Sequence, residues 1–193
     1  MTTIQWSRSP RPDTGVTNGT LGLWLFLAAE VMFFGSLLSS YVLLRLGNGD
    51  LWASEGLQLG AMAGSWKAAV LVASSATLHL AARKAKARRP TGGLLVATLL
   101  LGGAFLGARA SELATLAAAG LVPKSGVATA MYYTVSGLHG LHLLVVAILV
   151  ATSRIGAASR QGSAAPRRLR NLAVAWHFFV AVWLVFVVLF HLS

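Results

Sequence analysis

The sequence predicts an all-α integral membrane protein, a bundle of five transmembrane helices with a cytoplasmic amino terminus and a carboxyl terminus on the outer, periplasmic side. Three observations predict it. Of 193 residues, 56% are hydrophobic and only 11% charged, with a mean hydropathy of +0.70. A chain of this size cannot hide so much apolar surface in a soluble core. Apolar runs near 20 residues, the length that crosses a hydrocarbon core of about 30 Å, recur along it. The basic residues gather in alternate loops, as they do in multi-pass proteins that obey the positive-inside rule.

The elements follow in order. Residues 1–20 form a polar leader on the cytoplasmic side, and residues 21–193 a single membrane domain. The first apolar run, 21–46, exceeds the core of a signal peptide and has no small-residue cleavage pattern ahead of it, so it stays as a helix. The second, 59–83, is the weakest of the five. Runs at 94–119, 127–152 and 172–192 complete the set. The Ala, Gly and Ser stretch from Gly156 to Ala165, followed by Pro166, predicts a flexible loop before the last helix.

The net charge of +11 raises the question of nucleic acid, and its distribution answers it. Arg83, Lys84, Lys86, Arg88 and Arg89 fill one loop, and Arg154, Arg160, Arg167, Arg168 and Arg170 another. With Arg8 and Arg11 they place twelve of the sixteen basic residues on one face, while the opposite loops hold Asp50, Glu55 and Lys124. The charge is a topology signal, with binding of anionic lipid or a partner as its functional reading. Nucleic acid is not a partner. Cysteine is absent, which excludes disulfides, thiolate metal sites and covalent haem attachment.

Ionisable side chains inside apolar runs are the candidate functional residues, because each is costly at membrane depth. They are Glu30, His79, Arg109, Glu112, His139, His142 and His177, with Trp176 beside the last. His139 and His142 lie three apart and share a helical face, the spacing that two metal ligands would use. Further ligands are scattered singly over other helices without a Glu-x-x-His motif, so hydrogen bonding across helices is the favoured role. Gly137 and Gly140 around them permit close approach of a neighbour.

Glu30 has no cation near it in sequence. It reads as a proton-handling group or as a neutral donor to an adjacent helix. Arg109 and Glu112, also three apart, read as a mutually compensating pair. Small residues four apart, Ser36 with Ser40, Gly103 with Gly107, Gly107 with Ser111 and Ser136 with Gly140, suit tight helix contacts. Trp24, Trp52, Trp66, Tyr132, Tyr133, Trp176 and Trp183 lie mostly near run ends, as interface anchors would. No phosphate loop and no nucleophile beside a base is present. No catalytic, cofactor-binding or metal-binding set is therefore assigned.

Five blocks in order resemble subunit III of the haem-copper respiratory oxidases, the cytochrome c oxidase type. They are Leu21-Gly-Leu-Trp-Leu-Phe-Leu-Ala-Ala-Glu-Val-Met-Phe-Phe34, Trp66 through His79, Gly103 through Glu112, Ser136-Gly-Leu-His-Gly-Leu-His142, and Trp176-His-Phe178 with Trp183. The chain is similar to the five-helix type that lacks the first two helices of longer members. The resemblance implies an accessory, non-catalytic subunit in a bacterial cytoplasmic (inner) membrane. It implies contact with oxidase subunits I and II, bound phospholipid and support of proton uptake, and leaves membership of a larger respiratory supercomplex open. Haem and copper are expected in the partner subunits and no cofactor in this chain. The enzyme activity, oxygen reduction to water coupled to proton translocation in aerobic respiration, belongs to the complex.

Glu30 matches the family's membrane carboxyl. Arg109 stands where many members have Gln, Ala181 where many have Asp, and Ala175 where Tyr is frequent. A quinol oxidase or nitric-oxide-reductase accessory chain is the near alternative. A small proton or metal-ion transporter, using Glu30, His139 and His142, is the alternative from another class.

Overall fold

Helix α1 spans Asn18–Gly47, α2 Ala61–Lys86, α3 Gly92–Ala118, α4 Val127–Ser159 and α5 Ala164–His191. The structure, a computed structural model, describes residues 17–49, 61–159 and 164–191. Asp50, Trp52, Glu55, Arg160 and the leader through residue 16 lie outside the described residues. Four of the helices, all but α2, are long and apolar enough to cross a membrane. Lys67 and a string of Ala, Ser and Thr dilute the apolar content of α2, although its 26 residues reach about 39 Å at 1.5 Å per residue.

The ends of two helices depart from the sequence reading. Helix α4 continues through Gly156 to Ser159, into the predicted loop, and α5 begins at Ala164 with Pro166 inside its first turn. Proline is harmless there, because the first N–H groups of a helix have no intrahelical acceptor. Arg167, Arg168, Leu169 and Arg170 are good helix formers that hydropathy does not register.

Two helix ends have defined caps. After α3, Gly120 takes φ +81, its N–H reaches Ala117 O and the Leu121 N–H reaches Leu116 O, which is a Schellman motif. After α2 the same bonds run from Arg88 to Ala85 and from Arg89 to Lys84. There the left-handed position is held by Arg88 at φ 53, a residue with a Cβ.

Helices α2, α3, α4 and α5 close a ring in which each packs against two neighbours, and α1 lies outside it against α4 and α5. The middle of the ring is aromatic. Phe105, Tyr132, Trp176, Phe179, Trp183 and Phe186 are fully or almost fully buried. Trp176 and Trp183 are therefore core residues rather than interface anchors, whereas Trp24 and Trp66 are about half exposed, at 59% and 48%. Trp176 of α5 turns inward where Gly102 of α3 leaves room for its ring, and Trp183 packs edge-on against Phe105 of α3.

One glycine makes that possible. A Cβ on Gly102 would sit 2.8 Å from Cη2 of Trp176, closer than carbon atoms tolerate. The glycines that the i,i+4 pattern selects, and Gly137 beside the histidines, behave otherwise: nothing lies within 4 Å of a Cβ on Gly103, Gly107 or Gly137, and Gly140 meets only Leu106 at 3.8 Å. Within this chain they face open space. Ser36 and Ser40 donate to carbonyls of their own helix, Phe33 and Ser36. The outer surface carries Leu25, Met32, Leu43, Leu100, Leu141 and Val188, all more than half exposed, as lipid-facing residues would be.

Candidate functional site

The polar side chains inside the bundle gather at three levels along the antiparallel helices. At one end, Lys67 near the start of α2, Arg109 and Glu112 near the end of α3, and Tyr132 and Ser136 near the start of α4 form one cluster. Arg109 donates to Glu112, to the Tyr132 hydroxyl and to Ser136. Lys67 Nζ lies 2.6 Å from the other oxygen of Glu112, with side-chain exposures of 2% and 17%. The Tyr132 hydroxyl also hydrogen-bonds Glu112. Arg109 and Glu112 thus pair, but not as an isolated couple.

The cluster contains two cations and one carboxylate, so it holds one positive charge in excess. Aromatic faces take up part of that charge. The Arg109 guanidinium carbon is 4.7 Å from the Trp183 ring centre, 5.1 Å from Tyr132 and 5.2 Å from Phe186. Lys67 Nζ is 5.9 Å from Trp183. Cation–π contacts strengthen to about 2 kcal/mol when water is excluded. Arg109 Nε makes no hydrogen bond.

At mid-depth the two histidines of Gly137-Leu-His-Gly-Leu-His142 part company. His139 is buried and its Nε2 donates to the Phe179 carbonyl, 2.9 Å away on α5. His142 turns toward α1, where its Nε2 is 3.3 Å from Glu30 Oε1. The partner that Glu30 lacks in sequence is supplied by the fold. His142 Nδ1 lies 2.7 Å from the Leu138 carbonyl, which can only accept, so Nδ1 carries a proton. The contact joins α1 to α4. Glu30 Oε2 is buried without a hydrogen-bond partner.

At the other end, His79 on α2 and His177 on α5 face each other with ring centres 5.8 Å apart. Ser75 hydrogen-bonds His177 Nδ1. Trp176 donates to Ser74 Oγ at 3.0 Å. At the end that holds the Arg109 cluster, Tyr41 and Arg45 both donate to the Leu189 carbonyl, at 2.9 and 3.0 Å, tying the end of α1 to the last turn of α5.

Of the residues chosen from sequence, the structure brings together Arg109 with Glu112, Glu30 with His142, and His79 with His177. It separates His139 from His142. Sequence reasoning does not single out Lys67, Tyr132 or Ser136 as site members. Lys67 carries the same signal as Glu30, an ionisable group in an apolar run, but the weak hydropathy of α2 masks it. Among the described residues no group of three or more His, Asp or Glu side chains could hold a metal ion.

Ionisable groups paired across the spans of an apolar helix bundle define a polytopic membrane protein whose polar residues bridge its helices. The sequence matches the family model of cytochrome c oxidase subunit III over residues 10–193, and the chain belongs to that family. It is 29% identical over 178 residues to cytochrome c oxidase subunit 3 of Thermostichus vulcanus, covering 89% of this chain and 86% of that protein. It is 30% identical over 174 residues to cytochrome bo(3) ubiquinol oxidase subunit 3 of Pseudomonas aeruginosa, covering 86% and 81%. It is 28% identical over 170 residues to a probable cytochrome c oxidase subunit 3 of Mycobacterium tuberculosis, covering 86% and 83%. Membership makes the chain a membrane subunit of a haem-copper oxidase complex of aerobic respiration.

Proposed function

We propose that this chain is the accessory subunit of a bacterial aerobic terminal oxidase, residing in the cytoplasmic membrane against the catalytic subunit I and near subunit II. The complex reduces oxygen to water and moves protons, and this chain stabilises it, organises phospholipid and supports proton uptake. It acts as one five-span domain, α2 included, with the amino terminus in the cytoplasm. Support for that topology comes from the basic ends of α2 and α5, which the positive-inside rule assigns to the cytoplasm.

The observation that carries the reading is where the ionisable side chains go. Lys67, Arg109, Glu112, Glu30 and His142 all bridge helices, and so does His139. Such bonds fix the geometry of a scaffold, each contributing about 0.6 and at most about 1.7 kcal/mol inside a membrane. The contact of Glu30 with His142, a carboxyl beside an imidazole inside the bundle, is the feature that fits support of proton uptake.

Purification through a tag on this chain tests the proposal. Haem-bearing chains should copurify, with the visible spectrum of an oxidase and oxygen consumption. Reduced cytochrome c against quinol as substrate then identifies the donor, a question the ubiquinol oxidase relative makes pertinent. A chain that purifies alone and moves protons or metal ions across liposomes would be a transporter, and the proposal would fall.

A further inference from the structure

The turn that joins α2 to α3 is dense in charge. Arg83, Lys84, Lys86, Arg88 and Arg89 are five cations within seven residues, all exposed. Among the described residues none of them has an ion-pair partner, since Glu30 and Glu112 are engaged inside the bundle. The backbone is also strained at one of the five. Arg88 sits at φ 53 in the left-handed position of the α2 cap, where the α3 cap has Gly120. A residue with a Cβ is disfavoured there relative to glycine by about 5- to 30-fold in the folding equilibrium.

Arg88 recovers none of that inside the chain. Its side chain makes no hydrogen bond or ion pair with any described residue. Strain held without an internal return points to a use outside the chain. An anionic membrane surface returns little, because it rewards summed charge at about fivefold per basic residue, and the four neighbouring cations supply that charge without strain. A carboxylate returns more. The planar fork of arginine holds both carboxylate oxygens at once, and a hydrogen bond to a charged group contributes about 10- to 100-fold.

We infer that this turn docks an acidic segment of another chain of the complex, with an aspartate or glutamate carboxylate of that chain on the Arg88 fork and Lys84 and Arg89 flanking it. The inference rests on the proposal that the chain is an oxidase subunit with these ends in the cytoplasm, and it gives one subunit contact its chemistry. The turn presents Arg88 rigidly. The Arg88 N–H reaches Ala85 O and the Arg89 N–H reaches Lys84 O, while Pro90 fixes the next φ at about −65°. Little freedom is then lost when a partner binds.

The test uses the purified complex. A water-soluble carbodiimide joins amines to carboxylates in contact, and mass spectrometry should find Lys84 or Lys86 joined to an aspartate or glutamate of another chain. Arg88→Gly should lose that link and raise the dissociation constant of this chain from the complex about 10- to 100-fold, although the same substitution makes the chain itself melt higher. Arg88→Lys keeps the charge without the fork and should fall between. Arg168→Gln removes one exposed cation away from the turn and should cost at most about fivefold. At about 1 M salt, where the screening length is about 3 Å, native and Arg88→Gly complexes should dissociate alike. No inter-chain link in the native complex, a cost for Arg88→Gly no larger than for Arg168→Gln, or docking and melting that fall together would overturn the inference. Loss of anionic lipid from Arg88→Gly with the link retained would assign the turn to the membrane and overturn it as well. If no variant complex assembles, the link in the native complex decides. Copurified haem and oxygen consumption, read on the same samples, report separately on the accessory-subunit proposal.

Discussion

Charge balance in the Lys67, Arg109 and Glu112 cluster predicts an unequal response to removing its members. Glu112→Gln leaves two cations in a buried site with nothing to neutralise them. Stranding one charge of a buried pair costs about 3 to 5 kcal/mol, and here two are stranded. Arg109→Gln instead leaves Lys67 and Glu112 as a neutral pair at 2.6 Å. Its cost is the lost hydrogen bonds to Tyr132 and Ser136, about 1 kcal/mol each, and the new amide can restore one of them. Lys67→Met is similarly mild, because Arg109 still pairs with Glu112.

The double variant Arg109→Gln with Glu112→Gln strands Lys67, so it should not return to native stability as an isolated pair would. Unfolding of this chain in the purified complex, followed against temperature or denaturant, is the assay. Glu112→Gln should raise the unfolding equilibrium constant of this chain more than a hundredfold, since each 1.4 kcal/mol is tenfold. Arg109→Gln should raise it about tenfold. Arg109→Gln as damaging as Glu112→Gln would refute the charge-balance argument, and a fully native double variant would remove Lys67 from the cluster.

Other substitutions probe separate links. Gly102→Ala should destabilise the complex by about 1 to 3 kcal/mol by forcing the Trp176 ring aside, whereas Gly103→Ala should be silent in thermal melts. Glu30→Gln should keep oxygen reduction near native, because its amide can donate to His142 Nε2; complete loss in an assembled, haem-replete complex would put Glu30 on an essential proton route. Arg88→Gly should stabilise the protein and Gly120→Ala destabilise it, each by the 1 to 2 kcal/mol or so that separates glycine from other residues in the left-handed region, read as a rise and a fall in melting temperature.

The sequence by itself determined the class. Long apolar runs, the charge asymmetry of the loops and the ordered blocks around Glu30, His139, His142 and Trp176 suffice, because a bilayer permits few solutions for such a chain and hydropathy reads them directly. It also marked Glu30, Arg109 and Glu112, since an ionisable group in hydrocarbon stands out wherever it occurs. Only the tertiary structure decided the partners. Lys67 lies 45 positions from Glu112 and His142 lies 112 from Glu30, and no helical period connects residues on different helices. Periodicity also fails to orient these helices, because lipid is as apolar as the bundle interior. That is why Gly102 rather than Gly103 or Gly107 receives a neighbour, and why Trp176 and Trp183 point inward while Trp24 and Trp66 do not.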